Sequence, residues 1–136
     1  MLTDCDKSRI ADEIESVVTN FLNPDTLNYE SHVGLRANVD GYLMAGDGQI
    51  AFTDYQSYKD AMKVNFESFR KFTELKKIRS YVYVLSEDAA VCTVEFKGKM
   101  QTLDDQDVAY NGCWTFVFKK FENDWKVVQE NGTHTH

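Results

Sequence analysis

YNGCWTFVFKKF at residues 110–121 and DWKVVQENGT at residues 124–133 decide the fold. Both segments are rich in aromatic and β-branched residues, and only Glu122 and Asn123 separate them, so they read as an antiparallel hairpin. Side chains alternate across a strand, and lysines belong in water. Lys119 and Lys126 are therefore expected to point outward. That parity sends Tyr110, Trp114, Phe116 and Phe118 inward on the first strand, and Trp125, Val127, Gln129 and Asn131 inward on the second. Trp125 and Phe118, near the turn, read as core. Trp114, Gln129 and Asn131 lie toward the other end, where apolar packing gives way to polar groups and a pocket is expected to open.

Working back from the hairpin, Ala89 to Thr102 and Lys76 to Leu85 read as two further long strands joined at Ser86-Glu87-Asp88. Leu103 to Asp107 is an acidic connection. Asp54 opens a helix predicted to reach Phe72, with Tyr58, Met62, Phe66 and Phe69 as its apolar stripe. Tyr58 and Met62 are candidate pocket walls. Val39 to Ala45 and Ile50 to Phe52 form a short hairpin around Gly46-Asp47-Gly48. Ser8 to Leu22 is an amphipathic helix carrying Ile10, Ile14, Val17, Val18, Phe21 and Leu22, with Asp6 or Ser8 as its cap and Asn23-Pro24 as its stop. Asp25 to Arg36 is a second, shorter helix that carries His32. Helices followed by a run of long strands predict an α+β chain with the helices on one face of a curved, mainly antiparallel sheet. All 136 residues are read as a single domain.

The bulk properties exclude several functions. The chain holds 22 acidic against 15 basic residues, a net charge of −7, so it lacks the basic surface that nucleic acid requires. The run Lys76, Lys77, Arg79 reads as a solvated strand edge. No apolar stretch is long enough to span a membrane. Cys5, Cys92 and Cys113 form neither a disulfide framework nor a metal pattern, and the two internal cysteines are expected to pack as small hydrophobes. Together with an N-terminus that lacks a basic and apolar leader, this favours a cytoplasmic location. An exported form with a trimmed signal segment stays open. No cofactor or metal is expected: His134 and His136 stand at the end of the chain, and Asp104, Asp105 and Asp107 lack the spacing and glycine of a calcium loop.

The order of elements and the ending FVFKKFENDWKVVQENGT, residues 116–133, resemble the nuclear transport factor 2-like superfamily, in its SnoaL-like and ketosteroid-isomerase-like group. In many members the last strand reads Trp-x-Ile/Val-Val-His-x-His-x-Ser. Trp125, Val127 and Val128 match that pattern, whereas Gln129, Asn131 and Thr133 replace the histidines and the serine. The resemblance implies a cystatin-like, cone-shaped barrel in which a strongly curved sheet wraps a long helix, with an apolar pocket at the open end. It also implies a homodimer formed through the outer sheet face. Ketosteroid isomerisation needs a carboxylate base, a tyrosine and a protonated carboxylic acid. The matching positions fall near Ala45, Asn20 or Phe21, and Trp114, and none supplies the required group.

The expected function is thus binding of a small hydrophobic molecule in a pocket lined by Trp114, Gln129, Asn131, Tyr110, Phe116, Tyr58 and Met62. One alternative is an isomerase, cyclase or dehydratase acting on a cyclic hydrophobic substrate, with Asp40 or His32 as the base. The other is a homo-oligomeric assembly module that uses Tyr81 or Tyr83 on the outer face.

Overall fold

A computed structural model describes residues 1–136. Three helices and six strands follow in the order α1 (Asp4–Phe21), α2 (Tyr29–Gly34), β1 (Leu43–Gly46), β2 (Gln49–Phe52), α3 (Tyr55–Glu67), β3 (Phe69–Ser86), β4 (Ala89–Thr102), β5 (Asp107–Phe121) and β6 (Asp124–Thr135). The strands make a single sheet in the order β2-β1-β6-β5-β4-β3. All neighbours are antiparallel except β1 and β6, which run parallel.

Local sequence accounts for the helix ends. Thr3, rather than Asp6 or Ser8, caps α1: its hydroxyl accepts from the Asp6 amide, and the Asp6 carboxylate accepts from the Thr3 amide, both at 3.1 Å. Asn28 and Ser31 exchange the same pair of bonds at the start of α2. Asp54 caps α3 as expected, but the helix stops at Glu67, not Phe72. Phe69 and Phe72 already belong to β3, where they pack against Phe66 at ring distances of 5.4 and 6.0 Å. An aromatic stripe fits the end of a helix and the start of a strand about equally well, so periodicity alone misplaces that boundary.

The longest helix is α1, not the one that begins at Asp54. Its buried face of Ile10, Ile14 and Val18 joins the core formed by Cys92, Val94, Phe118 and Val127. Polar contacts fix it to the strands. Glu15 pairs with Lys77 at 3.0 Å and accepts from Ser80, while Glu13 accepts from the Trp125 indole at 2.9 Å. The basic run does lie on a sheet edge, since β3 is terminal, although Lys77 is tied to α1. Of the two internal cysteines, Cys92 is buried and Cys113 is exposed, because Cys113 alternates with the inward Trp114. No helix is long and apolar enough to cross a membrane.

Three glycines shape the concave wall. Gly98 faces Tyr110, Gly112 faces Phe96, and Gly132 faces Trp114 on the neighbouring strand. A Cβ at any of these positions would run into the opposing ring. Their bare backbones let three large rings lie against the sheet at its open end.

Candidate functional site

A cavity of about 400 Å³ opens between α1, α2, α3 and the concave sheet face. It falls within the size range of small-molecule sites. Fifteen of its twenty lining residues are apolar, among them Phe21, Met62, Phe66, Phe72, Val94, Phe96, Trp114 and Phe116. Of the predicted wall residues, Trp114, Tyr110, Phe116 and Met62 line it. Tyr58 is fully buried and does not line the cavity, but its hydroxyl supports a residue that does.

Gln129 and Asn131 are corrections to the sequence reading, since both are exposed on the outer face. Phe118 pairs with Val127, but the preceding Val117 pairs with Gln129. Val128 is therefore an extra residue in β6, and every side chain beyond it changes face. The bulge sits where the flank of β6 changes partner. Up to Val127, β6 is flanked by the Leu35–Ala37 segment, through Ala37 N–H to Val127 O and Val127 N–H to Leu35 O, both at 2.8 Å. From Gln129 onward its neighbour is β1.

The reversal turns Glu130 inward, and it is 1% exposed. Its carboxylate accepts four hydrogen bonds: from Arg36 Nε at 2.9 Å, Arg36 Nη2 at 2.6 Å, Tyr42 Oη at 2.7 Å and Trp114 Nε1 at 3.0 Å. Arg36 also donates from Nη1 to the His32 carbonyl at 2.8 Å. Its guanidinium lies 5.3, 5.4 and 5.5 Å from the centres of the Phe21, Tyr58 and Phe116 rings. Burial opposes the Arg36 charge, but Glu130 outweighs it and raises the guanidinium pKa above its ordinary value. Burial, followed by the Glu130 charge, raises the Tyr42 hydroxyl well above the usual phenol range. The sequence reading missed this network. Adjacent Val127 and Val128 break strict alternation, but nothing in the sequence says which strand face absorbs the extra residue.

His32 lines the cavity and is held by α2. Its Nδ1 lies 2.7 Å from the Tyr58 hydroxyl, which is also 3.3 Å from the His32 carbonyl. Burial, aided by the positive charge of Arg36, holds its pKa well below 6.5, so the ring is neutral near pH 7. Asp40, the other candidate base, is exposed in the turn before β1 and does not line the cavity. At the rim, His134 packs on Trp114 at 5.0 Å and Tyr110 at 5.8 Å, and its backbone N–H donates to Asp47 Oδ1 at 3.1 Å. Burial lowers the His134 pKa.

No family model matches the sequence, and no curated protein matches it. Solved structures do match. A nuclear transport factor 2-like superfamily protein from Salmonella enterica superposes with a TM-score of 0.77 at 16% identity, over 92% of this chain and 90% of that one. The chain has the nuclear transport factor 2-like fold. Two further structures show the same likeness of fold. A hexachlorocyclohexane dehydrochlorinase from Novosphingobium barchaimii gives a TM-score of 0.71 at 15% identity, covering 98% of this chain and 92% of that one. A protein of unknown function with this fold from Shewanella oneidensis gives 0.64 at 15% identity, covering 90% and 97%.

Proposed function

We propose that the domain binds a compact apolar molecule in the cavity bounded by Trp114, Phe116, Met62 and His32. The observation that carries this reading is the aromatic-lined space itself, held open by a wall whose Trp114 indole is fixed by Glu130. A pure assembly module would have no need of such a space. Trp114 reports on occupancy, so an apolar dye that enters the cavity should quench the indole. Met62→Trp places a large ring in the space and should weaken dye binding at least tenfold while the fold persists by circular dichroism. Unchanged dye affinity in that folded variant would remove the cavity from consideration.

Proton-transfer catalysis on a cyclic hydrophobic substrate is the second reading. Asp40 does not reach the cavity, whereas His32 does, and one of the fold's neighbours is a dehydrochlorinase. As the base, His32 changed to Gln should abolish turnover and leave substrate affinity within a few-fold. Full turnover in that variant would end this reading.

We also propose that the chain self-associates through the outer sheet face. Tyr81, Tyr83 and Leu85 are 71%, 70% and 55% exposed there, and Tyr83 continues through Val91, Val117 and Gln129 across successive strands. Light scattering at micromolar concentration should give twice the chain mass. Tyr81→Lys combined with Tyr83→Lys should halve it, and a monomeric wild type would refute the assignment.

A further inference from the structure

Two polar atoms on residues that line the cavity have no protein hydrogen-bond partner, Nε2 of His32 and the hydroxyl of Tyr110, and neither is sealed from solvent. The other polar lining residues, Asp47, Asn65, His134 and His136, are exposed at the rim. No lysine or arginine lines the space. Arg36 is close to it, but its donors are engaged by Glu130 and the His32 carbonyl, and aromatic rings cover it.

The hydrogen bonds on the far side of His32 bear on its tautomer. If Nδ1 carries the proton, Nδ1–H donates to the Tyr58 oxygen at 2.7 Å, and the Tyr58 O–H donates to the His32 carbonyl at 3.3 Å. Both contacts are then used at once. The opposite tautomer would spend the single Tyr58 proton on Nδ1 and leave the His32 carbonyl with Arg36 as its side-chain donor. The favoured arrangement leaves Nε2 with a bare lone pair facing an apolar cup.

Resting on the binding reading above, we infer that the occupant is a neutral ring compound carrying a hydroxyl or N–H group, which donates a hydrogen bond to His32 Nε2. A carboxylate or phosphate would bring its charge into an aromatic space with no cation to meet it and a lone pair turned toward it. A ring lacking a donor would fill the space but leave Nε2 unpaired, and sites of this kind discriminate strongly against such analogues.

Titration calorimetry at pH 7.5 with 2-naphthol, 2-methoxynaphthalene and 2-naphthoate tests this inference. The phenol should bind at least tenfold more tightly than the ether, and the carboxylate should bind weakest. In His32→Leu the preference for the phenol over the ether should fall within about twofold, as it should in Tyr58→Phe, where the tautomer loses its support. Nitrogen NMR of the unaltered chain gives a readout that does not depend on a variant folding. It should show a protonated Nδ1 and a bare Nε2 whose resonance moves with naphthol and not with the ether.

A protonated Nε2, equal affinities for phenol and ether, a preference that survives in His32→Leu, or tightest binding of naphthoate would each overturn the inference. If the apolar dye binds and the phenol has no advantage, this inference fails alone. If neither the dye nor any of the three compounds binds, the cavity reading fails with it.

Discussion

Glu130→Ala should destabilise the domain by about 3–5 kcal/mol, the cost of removing one partner from a buried ion pair. That is a large part of the roughly 5–15 kcal/mol that holds a domain of this size together. The substitution leaves the Arg36 guanidinium, 5% exposed, without its carboxylate, and strands the Tyr42 hydroxyl and the Trp114 indole N–H. Each orphaned donor adds a desolvation penalty. Urea denaturation followed by circular dichroism measures the loss. Arg36→Met combined with Glu130→Met should recover the part due to the unpaired guanidinium, because the pair's mutual attraction only offsets the cost of burying two charges, while Tyr42 and Trp114 stay without their acceptor. If Glu130→Ala cost less than 1 kcal/mol, the four hydrogen bonds would not be holding the wall together.

The same residue marks where sequence reading works and where it stops. The hairpin, its inward face from Tyr110 to Phe118 and its outward lysines follow from alternation alone, because a strand period of two leaves little freedom when one face is buried. Alternation carries no memory of a bulge. One extra residue at Val128 replaces two expected amides with a carboxylate. The consequence is chemical: the expected pair of neutral hydrogen-bonding groups becomes an ion pair consumed by the fold, and His32 is left among the polar residues that line the cavity. That histidine was visible in the sequence, but its role was not. Its environment comes from Tyr58, which lies 26 positions away, and from Arg36, four residues along and past the end of α2. Tyr58 is carried by α3, His32 by α2 and Arg36 by the segment just beyond α2, and the Tyr58 contact has no spacing signature.

Acidification should expose the position of His32 through stability. Above pH 6.5 the ring is neutral in both the folded and unfolded chain and contributes nothing to the balance. Below pH 6.5 the unfolded chain takes up a proton that the folded chain refuses, because burial and Arg36 depress the folded pKa well below that value. Stability must therefore fall as the pH drops, with a slope of at most about 1.4 kcal/mol per pH unit.

The groups facing the ring cannot relieve this. Arg36 on its own segment is cationic, Tyr58 on α3 offers a neutral hydroxyl, and Phe21 and Phe66 close the sides at 5.7 and 5.2 Å. The only carboxylate nearby, Glu130, is already taken by Arg36. Asp47, His134 and His136 stand at the exposed rim, and the Tyr110 hydroxyl is held neutral by burial, which pushes it up to about 12.

Denaturation of the wild type and His32→Gln at pH 7.5, 6.5, 5.5 and 5 isolates the effect, since carboxylate titrations are common to both proteins. The wild type should lose ground to the variant steadily over the acid half of that range, by at most about 1.4 kcal/mol per pH unit. Parallel curves would mean that His32 accepts a proton in place. Such a result would also undo the neutral acceptor on which hydroxyl recognition depends. A ring that charges without penalty becomes a donor at Nε2, and the cavity would then select acceptors and anions instead.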